Sequence, residues 1–177
     1  MPKTSWRSTA TSMSIDETRQ LLSLACLTFS FQRYRLPATG LVDKLPTSLG
    51  TLPLFGAQAN VSLPVAEDEA FWIGVFGRNP NTTLSCTAIL RDGRVVMLQQ
   101  DDSIMGIQTP TGQFASLTRV ATAVGPGVLS IVLGVRTDVR SLSAAIHLVS
   151  YDAFQSQSGV RPRPLDPSAG YQGYQLP

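Results

Sequence analysis

The residues able to do chemistry are few, and they stand apart. One histidine, His147, lies inside the apolar run AAIHLVSY. A general base needs partners that orient it and take its proton, and its neighbours offer none. His147 therefore reads as a structural imidazole, in the core or half-buried. The two cysteines, Cys26 and Cys86, both stand in apolar surroundings. They form no metal or disulfide framework and read as small core residues, the usual state of a free thiol. A metal centre needs several clustered His, Cys or carboxylate ligands, which this stock does not supply. The acidic groups AEDEAF (Glu67, Asp68, Glu69) and QQDDS (Asp101, Asp102) read as solvated turns at strand ends rather than catalytic pairs. No nucleophile elbow, Walker loop or dinucleotide fingerprint is present. The expectation is a protein without catalytic residues, metal or cofactor.

Charge is the unusual feature of the composition. Asp, Glu, Lys and Arg make up 15% of the 177 residues, against about 25% in a typical soluble protein. Low surface charge favours association over colloidal solubility. The net +2 hides a pattern. Residues 1–35 hold five basic and two acidic groups, residues 36–103 four and seven, and residues 104–163 five and two. Basic flanks around an acidic middle suit a single basic face directed at the phosphates of lipid or nucleic acid. The candidate contacts are Lys3, Arg7, Arg33, Arg35, Arg119, Arg136, Arg140, Arg161 and Arg163, chosen from this asymmetry alone.

The elements that must position these groups follow from periodicity. Residues 1–13 are a basic, Ser/Thr-rich arm, and 159–177 a Pro/Gly-rich extended tail; one domain, 14–158, lies between. The S-I-D-E at 14–17 fits a capping box and predicts a helix over residues 15 to about 25. Leu27, Phe29 and Phe31 then alternate with polar residues, which is a half-buried strand. Residues 37–56 are a long irregular connection. Asp92-Gly93 marks a hairpin; TPTG at 109–112 marks a second, and GPG at 125–127 a third, between LTRVATAV and VLSIVLGVR. AIHLVSY reads as strand. Residues 70–76, AFWIGVF, are too few to span a bilayer, and their β-branched and aromatic content suits a central core strand, with Glu67–Glu69 as its solvated lead-in turn. The start of the chain reads as an arm and not a secretory leader, so the sequons at Asn60 and Asn81 carry little weight and use on the cytosolic side is expected. The fold class is mainly β (α+β): a single-domain antiparallel β-sandwich with one or two flanking helices.

Over residues 49–166 the order of short strings is similar to the matrix proteins of bornaviruses and related nonsegmented negative-strand RNA viruses. The resemblance begins at Leu52-Pro53-Leu54 and Leu63-Pro64 and continues, after the acidic turn, in Phe71-Trp72-Ile73-Gly74-Val75. It extends through LTRVATAVGPGVLSIVLGV with Pro126 in its turn, AAIHLVSY, and GVRPRPLDP. The chain departs from that pattern before residue 27, around LRDGRVVMLQQDDSIMG, and in a longer tail, and it has no PPxY or PTAP string. The resemblance implies a β-sandwich matrix domain that forms homotetramers. It also implies peripheral attachment to the inner face of the viral membrane and contact with the viral ribonucleoprotein or single-stranded RNA, in the virion and in the infected cell at the cytosolic side of membranes or in the nucleus. Two other readings stay open: a β-sandwich capsid protein with an RNA-binding arm, and a cellular ligand-binding module with a pocket near Trp72 and Tyr151.

Overall fold

The computed structural model describes residues 13–100 and 102–171. The arm, with Lys3 and Arg7, as well as Asp101 and the end of the tail, lies outside the described residues. The chain forms a mainly β, single-domain fold. One sheet has the order β1-β2-β3-β7-β10, from Met13–Asp16, Leu21–Leu24, Leu27–Arg35, Glu69–Phe76 and Ser103–Ile104. Facing it, a six-stranded sheet has the order β5-β6-β14-β13-β8-β9, from Phe55–Ala57, Asn60–Pro64, Ser141–Val149, Val128–Arg136, Thr83–Leu90 and Val95–Met97. A small third sheet, β11 (Gly106–Gln108), β12 (Phe114–Ser116) and β4 (Leu41–Val42), covers part of the first sheet's outer face. Pairing is antiparallel except for β14 beside β6, which is parallel.

Period-two alternation builds the core. On β3 the inward row is Leu27, Phe29, Phe31 and Arg33; on β7 it is Glu69, Phe71, Ile73 and Val75. Phe31 and Phe71 meet edge to face with ring centroids 5.9 Å apart. The six-stranded sheet contributes Cys86, Ala88, Ile131, Leu133, Ala144 and Ile146 from its inner face. On the outer side of the first sheet, Tyr34 and Ala70 pack with Trp72 and Phe114 under the small sheet.

The helix expected over 15–25 is instead the hairpin of β1 and β2. Asp16, not Ser14, caps the local turn: its Oδ1 accepts from the N–H groups of Thr18 and Arg19, both at 3.0 Å. The pattern Leu22, Leu24, Leu27, Phe29, Phe31 alternates in and out once a two-residue turn at Ala25-Cys26 is allowed, and burial of that row overrides the helical spacing. Among the described residues the single α-helix, α1, is Tyr151–Ser158, capped by the Ser150 hydroxyl and stopped by Gly159 at φ 77°. The hairpin turns at Gly93 and at residues 109–112 are as expected. The hairpin at 125–127 is not: residues 117–127 form a loop with a tight turn at Thr122–Gly125, and β13 pairs with β8 and β14. The core strand at 70–76 is present as β7. In the tail, Pro167–Ala169 makes one 3-10 turn and the remainder of the described part is irregular.

Truncating Phe71 to alanine removes a fully buried ring and its partner for Phe31, and should cost about 3–5 kcal/mol in urea unfolding. Phe76→Ala, on the exposed side of the same strand, should change stability by no more than about 0.5 kcal/mol.

Candidate functional site

The inward rows of β3 and β7 both end in a charge. Arg33 continues Phe29 and Phe31, and Glu69 precedes Phe71 and Ile73, so the same alternation that buries the phenylalanines buries these two. Arg33 is 2% exposed and Glu69 not at all, and Arg33 Nη2 stands 2.8 Å from Glu69 Oε2. The Tyr151 hydroxyl donates to the Glu69 carboxylate at 3.0 and 3.2 Å, and the Ala66 N–H donates to Oε1 at 3.1 Å. Arg33 Nη2 also donates to the Arg163 carbonyl at 3.0 Å. One buried junction thus ties β3, β7, the start of α1 and the returning tail. Burial holds the Glu69 carboxyl above its ordinary value, with the Arg33 charge pulling the other way. Burial also raises the Tyr151 hydroxyl. With the two charges sealed from solvent, the arrangement is a structural pin and not a centre a substrate could reach.

Two expectations change here. Glu69 is no part of a solvated turn; only Glu67 and Asp68 are exposed. Arg33 is no surface contact, because its charge is consumed inside. Trp72 and Tyr151 do not share a pocket: Trp72 faces the small sheet and donates from Nε1 to the Pro46 carbonyl at 3.0 Å, while Tyr151 reaches the core side of β7. His147 is exposed on β14 with Nε2 3.1 Å from Asn60 Oδ1, not an apolar core residue. Cys26 is exposed as well. Cys86 is buried, and burial pushes its thiol up to about 12, far from a reactive thiolate. Among the described residues no three or more His, Cys, Asp or Glu converge as metal ligands.

The remaining candidate arginines fall into two groups at opposite ends of the strands. Arg35 is paired in register with Glu69. Arg119 donates from Nε to the Val65 carbonyl at 2.9 Å and accepts at its own carbonyl from Arg91 Nε. Arg161 forms an ion pair with Asp152 at 2.6 Å, and Arg163 lies at the buried junction through its carbonyl. Acids are interspersed at this end: Glu67 and Asp68 line the same shallow depression as Arg35.

Arg136 and Arg140 sit at the other end. Arg136 pairs with Thr83 at the start of β8, whereas Val128 pairs with Leu90 at its finish. At about 3.3 Å per residue, β8 separates the ends by about 23 Å. Arg136 and Arg140 flank the β13–β14 turn, closed by the Thr137 N–H on the Arg140 carbonyl at 2.8 Å. At its tip Val139 is 86% exposed, and Arg78 lies in the adjoining loop that leads into β8. Asp138 is the one carboxylate in this turn. The seven described residues among the nine chosen from charge asymmetry therefore do not cluster: Arg33 is buried, and the others lie at two opposite ends of the strands. Neither Val139 nor Arg78 is among the nine; for Val139 the available signal is an apolar residue between the charged neighbours Asp138 and Arg140.

Arg33→Met leaves Glu69 buried without its cation and should cost about 3–5 kcal/mol, whereas Arg33→Met with Glu69→Leu should recover most of that loss; urea midpoints of the single and double variants check this. Because the folded chain holds the Glu69 proton more tightly than the unfolded chain, whose value is near 4.5, this group's contribution is fully present below that value and is lost as pH rises through the raised folded one. Wild type should therefore gain stability relative to Glu69→Gln as pH falls through that window, the reverse of an ordinary paired carboxylate; a gap that narrows on acidification would refute it.

No protein-family model, curated protein or solved structure matches this chain.

Proposed function

We propose that the chain is a non-enzymatic structural protein of the viral matrix type, a self-associating β-sandwich that sits peripherally on an anionic membrane surface and links it to the ribonucleoprotein. The observation that carries this reading is the tip of the β13–β14 turn, where Val139 is 86% exposed and lies in sequence between Arg136 and Arg140. An exposed apolar side chain with an arginine at each end of its turn fits the boundary between headgroups and acyl chains: the arginines meet phosphates and the valine enters the apolar layer.

Magnitudes decide how such a tip must work. Each arginine near an anionic surface contributes about 1 kcal/mol, and burial of one valine about 1.5 kcal/mol or slightly more. Two arginines and a valine reach about 3.5 kcal/mol, a dissociation constant of roughly 3 mM. One copy would hold the surface weakly; several copies linked together multiply the contact without new chemistry. Self-association is therefore part of the function.

Flotation with phosphatidylserine-containing and neutral vesicles tests the reading. Wild type should float with the anionic vesicles, less so as salt rises. Arg136→Glu with Arg140→Glu should lower bound protein at least tenfold, Val139→Asp severalfold, and Arg35→Glu with Arg163→Glu much less. A chain that ignores both vesicle types and instead retards single-stranded RNA would move the assignment to the capsid alternative.

A further inference from the structure

Among the described residues β9 is the outermost strand of the six-stranded sheet and pairs on one side only, with β8. Two backbone bonds set its phase: Leu90 N–H to the Arg94 carbonyl and Leu98 N–H to the Cys86 carbonyl, both 2.8 Å. Hydrogen-bonded and non-hydrogen-bonded residues alternate along an antiparallel ladder. Arg94, Val96 and Leu98 therefore face β8, and Val95 and Met97 turn their N–H and C=O groups outward. The side chains of the same two residues are 66% and 82% exposed, while Val96 and Leu98 join the core. Natural sheet edges are usually blunted by proline, lysine, a bulge or a covering helix. The opposite edge, β5, has α1 packed on it, with Phe154 against Phe55. β9 has neither proline nor lysine, and α1 lies at the far side of the sheet.

We infer that this edge is the interface with a second copy of the same chain, joined by antiparallel strand addition about a two-fold axis at Val96. This rests on the self-association half of the proposed function and gives it a location. Three registers place outward groups opposite one another: Val95 on Val95, Val95 on Met97, and Met97 on Met97. Strand length and charge select among them. Val95 on Met97 pairs all three residues of β9 with β9 of the second copy, whereas each of the other two registers pairs a single residue strand on strand. Val95 on Val95 also brings the two Arg94 residues to diagonal positions, where like charges repel. With Val95 on Met97, each Val95–Met97 pair exchanges two N–H···O bonds, four in all, and the four exposed apolar side chains form one continuous patch. The two six-stranded sheets become one.

Sedimentation of the full chain tests the interface. Wild type should sediment at twice the 19.0 kDa chain mass or an even multiple of it. Met97→Pro removes an N–H that β8 does not use, so the fold should survive with unchanged far-UV circular dichroism while the mass halves and the dimer dissociation constant rises at least tenfold. Should that proline unfold the hairpin, Val95→Lys with Met97→Lys serves instead, since it sets lysine against lysine on the exposed face; it too should halve the mass. A wild-type oligomer that the lysine variant leaves intact overturns this interface and leaves the proposed function standing. A monomeric wild type overturns the interface and the self-association together, and flotation then decides the membrane contact on its own.

Discussion

The fold turns on a pair of charges taken out of water. Removing Arg33 and Glu69 from solvent costs several kcal/mol for each ion, and their attraction offsets that cost with the help of the Tyr151 hydroxyl and the Ala66 N–H on the carboxylate and the Arg163 carbonyl on the guanidinium, while Arg33 Nε has no partner among the described residues. Such a pair adds little to stability compared with an apolar replacement. Its effect is to penalise any arrangement that leaves one charge alone. A one-residue slip of β3 against β7 would turn Arg33 or Glu69 to the other face. Displacement of α1 or of the tail would strip the carboxylate of a donor or the guanidinium of an acceptor. Registry of the central strands, the position of the helix and the path of residues 159–163 are coupled through this one junction.

With two of its few charges consumed inside, the chain has a sparse set left for the surface. The outward positions at the centre of the six-stranded sheet are largely small and uncharged: Thr83, Ser85 and Thr87 on β8, Val132 and Gly134 on β13, Ser143 and Ala145 on β14. Electrostatic contact is confined to the strand ends, and at the end nearest the buried pair acids and bases alternate. The β13–β14 turn combines two arginines, against one aspartate, with an apolar residue, Val139, that is 86% exposed. A contact of that size is weak for one copy. The open β9 edge supplies the means of joining copies, so the two surface features depend on each other in the proposed role.

Much of the sandwich was legible: Leu27, Phe29 and Phe31 by their alternation, residues 70–76 by their unbroken β-branched and aromatic content, and the two runs around Asp92-Gly93 by the turn between them all read as strands and are strands. The misreadings share a physical cause. Ser14 to Glu17 carries a valid local helix signal, but burial of Leu22 and Leu24 against the sheet outweighs a cap that contributes about 1 kcal/mol. Residues 117–124 have strand composition, yet β13 already has neighbours on both sides, and pairing partners are not encoded locally. Arg33 and Glu69 were visible as charges lying in phase with apolar rows, and the assumption that charge means surface hid them. The end-to-end separation of Arg35 from Arg136 depends on three-dimensional register, which charge counting along the chain cannot resolve.

Hydrogen exchange on the full chain with and without phosphatidylserine vesicles tests the central claim, that the molecule meets an anionic surface with one defined end. The account predicts slowed exchange over residues 136–141 and in the adjoining 77–82 loop, with residues 90–94 and 160–165 unchanged by the vesicles. Slowing at 90–94 and 160–165, or at neither end, would contradict it.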